Sequence, residues 1–140
     1  MTDISEKAKA LLHKENYSIV IMNGDTYTST KKGIAPLMDI LADNPSFLKI
    51  ATVADKVIGR AAALLMIYGG VKEVYSDVIS THALDIFKAN NILVEYGECV
   101  PYIINRTKDG MCPMENAVLD VTEPQKAYEI LKNKLEMMRK

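Results

Sequence analysis

No apolar run in this chain exceeds the eight residues Ala61 to Tyr68, far short of the ~20 that a helix needs to cross a bilayer, so no membrane partner is expected. Cysteine is scarce: Cys99 and Cys112 stand apart and form neither a CxxC pair nor a disulfide framework. An excess of either charge is missing as well. Seventeen basic residues against 18 acidic ones leave a net charge of −1, which gives no footprint for nucleic acid. The two histidines, His13 and His82, each lack a second ligand at i+4, so both are expected on helix surfaces and no metal site is read from them. The opening Met1-Thr2-Asp3-Ile4-Ser5-Glu6 has no basic-then-apolar export pattern, and a cytoplasmic location is expected.

What is present is apolar patterning in a chain that is 49% hydrophobic and 140 residues long, enough for one domain, residues 1–140, with a buried core. Ile4, Ala8, Leu11 and Leu12 share a helical face. Ser18 to Met22 and Thr26 to Thr30 are β-prone runs about the turn Asn23-Gly24-Asp25. A helix is predicted over 33–42, a strand over 48–54, a helix over 59–68 stopped by Gly69-Gly70, and a strand over 71–75. A helix over 80–90 and a strand over 92–96 follow, and the two last strands should run parallel because a helix connects them. Val100 to Ile104 reads as an edge strand because of Pro101, Cys112 to Glu115 as the opening of a short helix, and Thr122 with Gln125 as the capping box of the last helix. The eight methionines fall at apolar helical positions and are core filler. Strands alternating with helices predict an α/β fold, a three-layer α/β/α sandwich around a mixed five-stranded sheet.

The candidate site lies at Ala54-Asp55-Lys56-Val57-Ile58-Gly59-Arg60, where a strand is expected to end on a carboxylate and a helix to begin. Open α/β sheets hold ligands at such junctions. Asp55 is read both as an N-cap and as a site residue. Gly59 permits close approach of the backbone, and Lys56 and Arg60 add positive charge to the helix amides. Lys31, Lys32 and Gly33 open another helix expected at the same mouth, and Asn105 and Arg106 belong to a polar loop placed to close over it. Asp55, Cys112 and Glu115 are the candidates for chemistry: a carboxylate at the mouth, a thiol near a helix start, and an acid that serves either its own helix dipole or proton transfer. The ordinary alternatives are a solvated basic rim for the lysines and a small buried hydrophobe for Cys112.

The element order, with Ala62-Ala63-Leu64-Leu65-Met66-Ile67-Tyr68-Gly69-Gly70-Val71-Lys72-Glu73-Val74-Tyr75 and then Ala83 to Val94, resembles the cytidine deaminase-like superfamily. In that family zinc is held by H-x-E and P-C-x-x-C motifs. Here Lys56-Val57-Ile58-Gly59-Arg60 stands at the second motif and Lys31-Lys32-Gly33-Ile34-Ala35 at the first, so the resemblance is to a zinc-less branch known only as a domain of unknown function. It implies no metal, no cofactor and no deamination. The expected function is binding of a small anionic, nucleotide-like or ADP-ribose-like ligand in a regulatory or sensing role. The alternatives are a zinc-independent enzyme acting on such a ligand, or a scaffold with a vestigial pocket that forms a homodimer. Loss of Arg60 is expected to weaken ligand binding and to leave stability nearly unchanged.

Overall fold

The computed structural model describes residues 3–103 and 113–138. Helix α1 (Asp3–Lys14) leads into a hairpin, β1 (Ile19–Asn23) and β2 (Asp25–Ser29), then α2 (Ala35–Asp43) and a 3₁₀ turn (Pro45–Leu48). Three strands follow in alternation with helices: β3 (Thr52–Ile58), α3 (Arg60–Gly69), β4 (Glu73–Ser80), α4 (Thr81–Ala89) and β5 (Leu93–Val100). The short α5 (Pro113–Ala117) and the long α6 (Pro124–Met138) complete the described chain.

The strands form one mixed sheet in the order β2-β1-β3-β4-β5. The hairpin is antiparallel to itself and to β3, whereas β3, β4 and β5 run parallel, as their helical connections require. Each connection moves one place in the same direction, so α3 and α4 lie on one face and run parallel to each other. That face holds the larger core, in which Ile21, Val53, Ile58 and Ile79 of the sheet meet Leu37, Leu64, Leu65, Phe87 and Leu131 of the helices. On the opposite face Ala8 and Leu12 of α1 pack against Val20, Ala54 and Tyr75.

Several boundaries differ from the sequence reading, and one difference matters for the site. Strand β3 starts four residues later than the predicted 48 and runs on to Ile58. Asp55 and Lys56 therefore lie inside a strand, and Asp55 is not the cap of α3. Strand β4 reaches Ser80, well past Tyr75, and β5 reaches Val100, past Tyr96. Polar residues in the second half of each strand masked this continuation. The β-prone run at 100–104 is no separate strand over its described part, since residues 101–103 form a bend after β5.

At Asp55 the regular alternation of the sheet slips. Asp55 pairs with Ser76 and Val57 with Val78. Between these pairs the Val57 amide donates to Asp55 Oδ1 at 3.3 Å, and the Ser76 hydroxyl donates to the Val78 carbonyl at 2.6 Å. Val57 is consequently 47% exposed while Ile58 beside it is fully buried. Such irregularities turn side chains out of their usual alternation and separate groups that a sequence pattern would place together.

Candidate anion-binding site

The start of α3 is held by a residue far along the chain. Its N-cap, Gly59, has no side chain to offer, and the first amides are satisfied by Glu115. The Arg60 amide donates to Oε1 and the Ala61 amide to Oε2, each at 2.6 Å. A Cβ on Gly59 would come within 2.2 Å of Glu115 Oε1, so glycine at 59 is what lets the carboxylate reach the helix. Glu115 is only 6% exposed. Burial raises its pKa, and the amides of Ala61 and Arg60 and the nearby charges of His82 and Arg60 partly oppose that rise. The amides expected to meet an external anion are thus occupied by the chain's own carboxylate.

The Arg60 side chain leaves the helix start in another direction. Its Nε donates to the Val118 carbonyl at 2.8 Å and its Nη2 to the Val121 carbonyl, both in the connection between α5 and α6. Guanidinium has five N–H groups. With two of them engaged, three have no partner among the described residues. Arg60 also lines a cleft of about 290 Å³ between α3, α4 and the start of α6, whose wall includes His82, Asp85 and Thr122. Because Arg60 also ties two elements together, its loss must cost stability, contrary to the expectation of a purely binding role.

The other cations of the expected mouth are dispersed. Lys31 donates to Asp39 Oδ2 at 2.8 Å and lies in a hollow beside α2 and β2 that also contains Asp25 and Asp43, a surrounding that disfavours an anion. Lys32 and Gly33 are exposed, with Gly33 at φ +67° in the turn before α2. Lys56 projects from the α1 face and donates to Asn16 Oδ1. Asp55, 7% exposed, lines neither hollow, and burial pushes its pKa up to about 8 against the pull of the Val57 and Lys56 amides. Its burial thus favours the protonated form. Asn105, Arg106 and Cys112 lie outside the described residues. Of the predicted set the structure joins Gly59, Arg60 and Glu115, and it separates Lys31 and Lys56 from them.

Two groups of residues were missed by the sequence reading. His82, read as a helix-surface residue, sits in the first turn of α4 behind the Ser80 cap, whose hydroxyl accepts from the Ala83 amide at 3.1 Å. Two parallel helices with adjacent starts place it level with Arg60, a signal available once the crossovers are recognised. On the α1 face, His13 Nε2 lies 2.7 Å from Asp77 Oδ1, and the Tyr75 hydroxyl donates to the same oxygen at 2.6 Å. Lys9 stands 4.7 Å above the Tyr75 ring. Burial pushes Asp77 upward, but the Tyr75 and His13 contacts outweigh it and hold the carboxylate below its usual range. Burial and the same Asp77 raise the Tyr75 pKa. Among the described residues no group of three His, Cys, Asp or Glu side chains is placed to hold a metal ion, and no helix is long and apolar enough to cross a membrane.

The mixed sheet with helices defines the class, an α/β protein with its candidate site at the helix starts above the parallel strands. Residues 7–135 match the family model of a domain of unknown function, DUF1893 (TM1506), and the chain belongs to that family. It is similar to the crystal structure of a DUF1893 family protein, TM1506 from Thermotoga maritima, with a TM-score of 0.87 and 24% identity over 96% of this chain and 91% of that one. At that identity the likeness speaks for the fold alone. No curated protein matches. The resemblance to the cytidine deaminase-like superfamily is corrected by these matches, which give DUF1893 and nothing of a deaminase. The residues that carried it explain the misreading: Ala61 to Met66 are all buried, and their spacing reports a helix packed on a sheet, which many folds share.

Proposed function

We propose that this domain binds a small anionic molecule in the cleft beside Arg60, in a regulatory or sensing role. The observation that carries the reading is the guanidinium fixed by the Val118 and Val121 carbonyls with three N–H groups left for a ligand. A donor fork held by the backbone loses little freedom when an anion arrives, and His82 in the same wall adds a second donor. Catalysis gains no comparable support, since Glu115 is engaged as a cap and Asp55 is closed off from the cleft.

Titration calorimetry with inorganic phosphate and with adenosine monophosphate tests the reading. One site per chain is expected, weakened roughly ten- to a hundredfold in Arg60→Gln through loss of charge-assisted hydrogen bonds of about 1.5–3 kcal/mol. Circular dichroism establishes that the variant is folded under the assay conditions. Equal affinity in a folded Arg60→Gln protein would remove Arg60 from the site.

A further inference from the structure

The cleft is chemically graded along its length. Its polar end is formed by Arg60 and His82, which begin the parallel helices α3 and α4. One turn further along each helix the wall turns apolar: Leu64 follows Arg60 at i+4 and Ile86 follows His82 at i+4, so each pair shares a helix face. Ala89 continues the apolar wall on α4 beside the polar Asn90, and Thr122 and Pro124 line the cleft from the start of α6. Between the two ends the one acid is Asp85, at i+3 from His82.

Resting on the binding reading above, we infer that the ligand is an amphipathic acid with one anionic group, a single carboxylate or phosphate at one end of a short apolar body. The anionic group sits on Arg60 and His82, and the body lies along Leu64, Ile86, Ala89 and Pro124. Asp85, exposed in the cleft wall, disfavours a second negative group along the body. Polyphosphate chains are therefore disfavoured. At about 290 Å³ the space falls at the lower end of small-molecule sites, which suits a short-chain or single-ring acid better than a dinucleotide.

A homologous series of straight-chain carboxylates from acetate to octanoate, titrated into the full chain by calorimetry, separates this inference from the one beneath it. Affinity should rise about fourfold for each methylene buried until the cleft is full, and pyrophosphate should bind more weakly than orthophosphate. Ala89 is exposed, so Ala89→Phe should fill the apolar end without harming the fold and flatten the chain-length series. Acetate, butanoate and hexanoate binding alike in the wild-type protein would overturn the apolar body and leave the anion site standing. Binding of none of them, nor of phosphate, would overturn both. A chain-length dependence that persists in Ala89→Phe would place the body elsewhere and overturn the assignment to this cleft.

Discussion

The two faces of the sheet use polar residues in opposite ways. On the α1 face, His13, Tyr75 and Asp77 meet at a partly exposed carboxylate oxygen, with side-chain exposures of 47% for His13 and 32% for Asp77, and Lys56 reaches Asn16. Partly exposed pairs of this kind contribute little to stability because water competes for every group. On the α3 face, Glu115 and Arg60 satisfy helix amides and loop carbonyls in partly or wholly buried positions, where an orphaned partner is costly. The α1 face closes its charges on one another, while the α3 face anchors a guanidinium that lines a cleft.

The largest test of that contrast is removal of the buried cap. Glu115→Ala should lose about 3 kcal/mol in urea unfolding, because two charge-assisted bonds vanish and the amides of Arg60 and Ala61 are left without acceptors. Gly59→Ala should produce a loss of similar sign by driving a methyl group into the same carboxylate. If either variant unfolds at the wild-type midpoint, the cap is not what holds α5 to α3.

Asp55→Asn should act through pH. The folded pKa of about 8 stands above the ordinary carboxylate value of 3.8, so the unfolded chain ionises first as pH rises. The stability associated with a protonated Asp55 is fully present below about pH 3.8 and is lost progressively as pH rises through 8. The substitution should thus be nearly neutral at pH 4 and stabilising by about 1 kcal/mol or more at pH 9, read from melting curves at both values. A stabilisation that does not grow with pH would show that the acid is not buried as described.

Smaller effects follow on the exposed parts. Ile50 is 66% exposed and β-branched, yet has a φ of 56°, a backbone region costly for such a side chain. Ile50→Gly should raise stability by about 1 kcal/mol, and a loss would show that its side chain holds the turn. Asp77→Asn on the α1 face should cost under about 1 kcal/mol. Because the folded pKa of Asp77 is lowered, its contribution is present above the ordinary carboxylate value and disappears as pH falls through the folded one. A loss as large as that of Glu115→Ala would erase the contrast between the faces.

The sheet was legible in the sequence because β-branched runs and helical periodicity are local signals. The strand ends were not. Ser76, Asp77, Glu95 and Glu98 interrupt the apolar pattern inside β4 and β5, and only pairing with neighbours keeps them extended. Arg60 stood out as a cation at a helix start, but what it touches depends on Val118 and Val121, 58 and 61 residues away. Glu115 was read for the dipole of its own helix when it in fact serves another helix 54 and 55 residues earlier. Lys56 and Arg60, four residues apart, looked like one cluster. The slip of alternation at Asp55 and the turn at Gly59 send them to opposite faces, which no count of spacing reveals.

The chain's two histidines report on the two faces separately, His82 from the cleft and His13 from the α1 face. A nuclear magnetic resonance titration that follows both imidazoles while inorganic phosphate is added, at constant pH and ionic strength, distinguishes an anion site beside Arg60 from binding elsewhere. Saturable movement of the His82 resonances with those of His13 unmoved is the predicted result. Movement of His13 alone, or of both in proportion to added salt, would contradict an anion site beside Arg60.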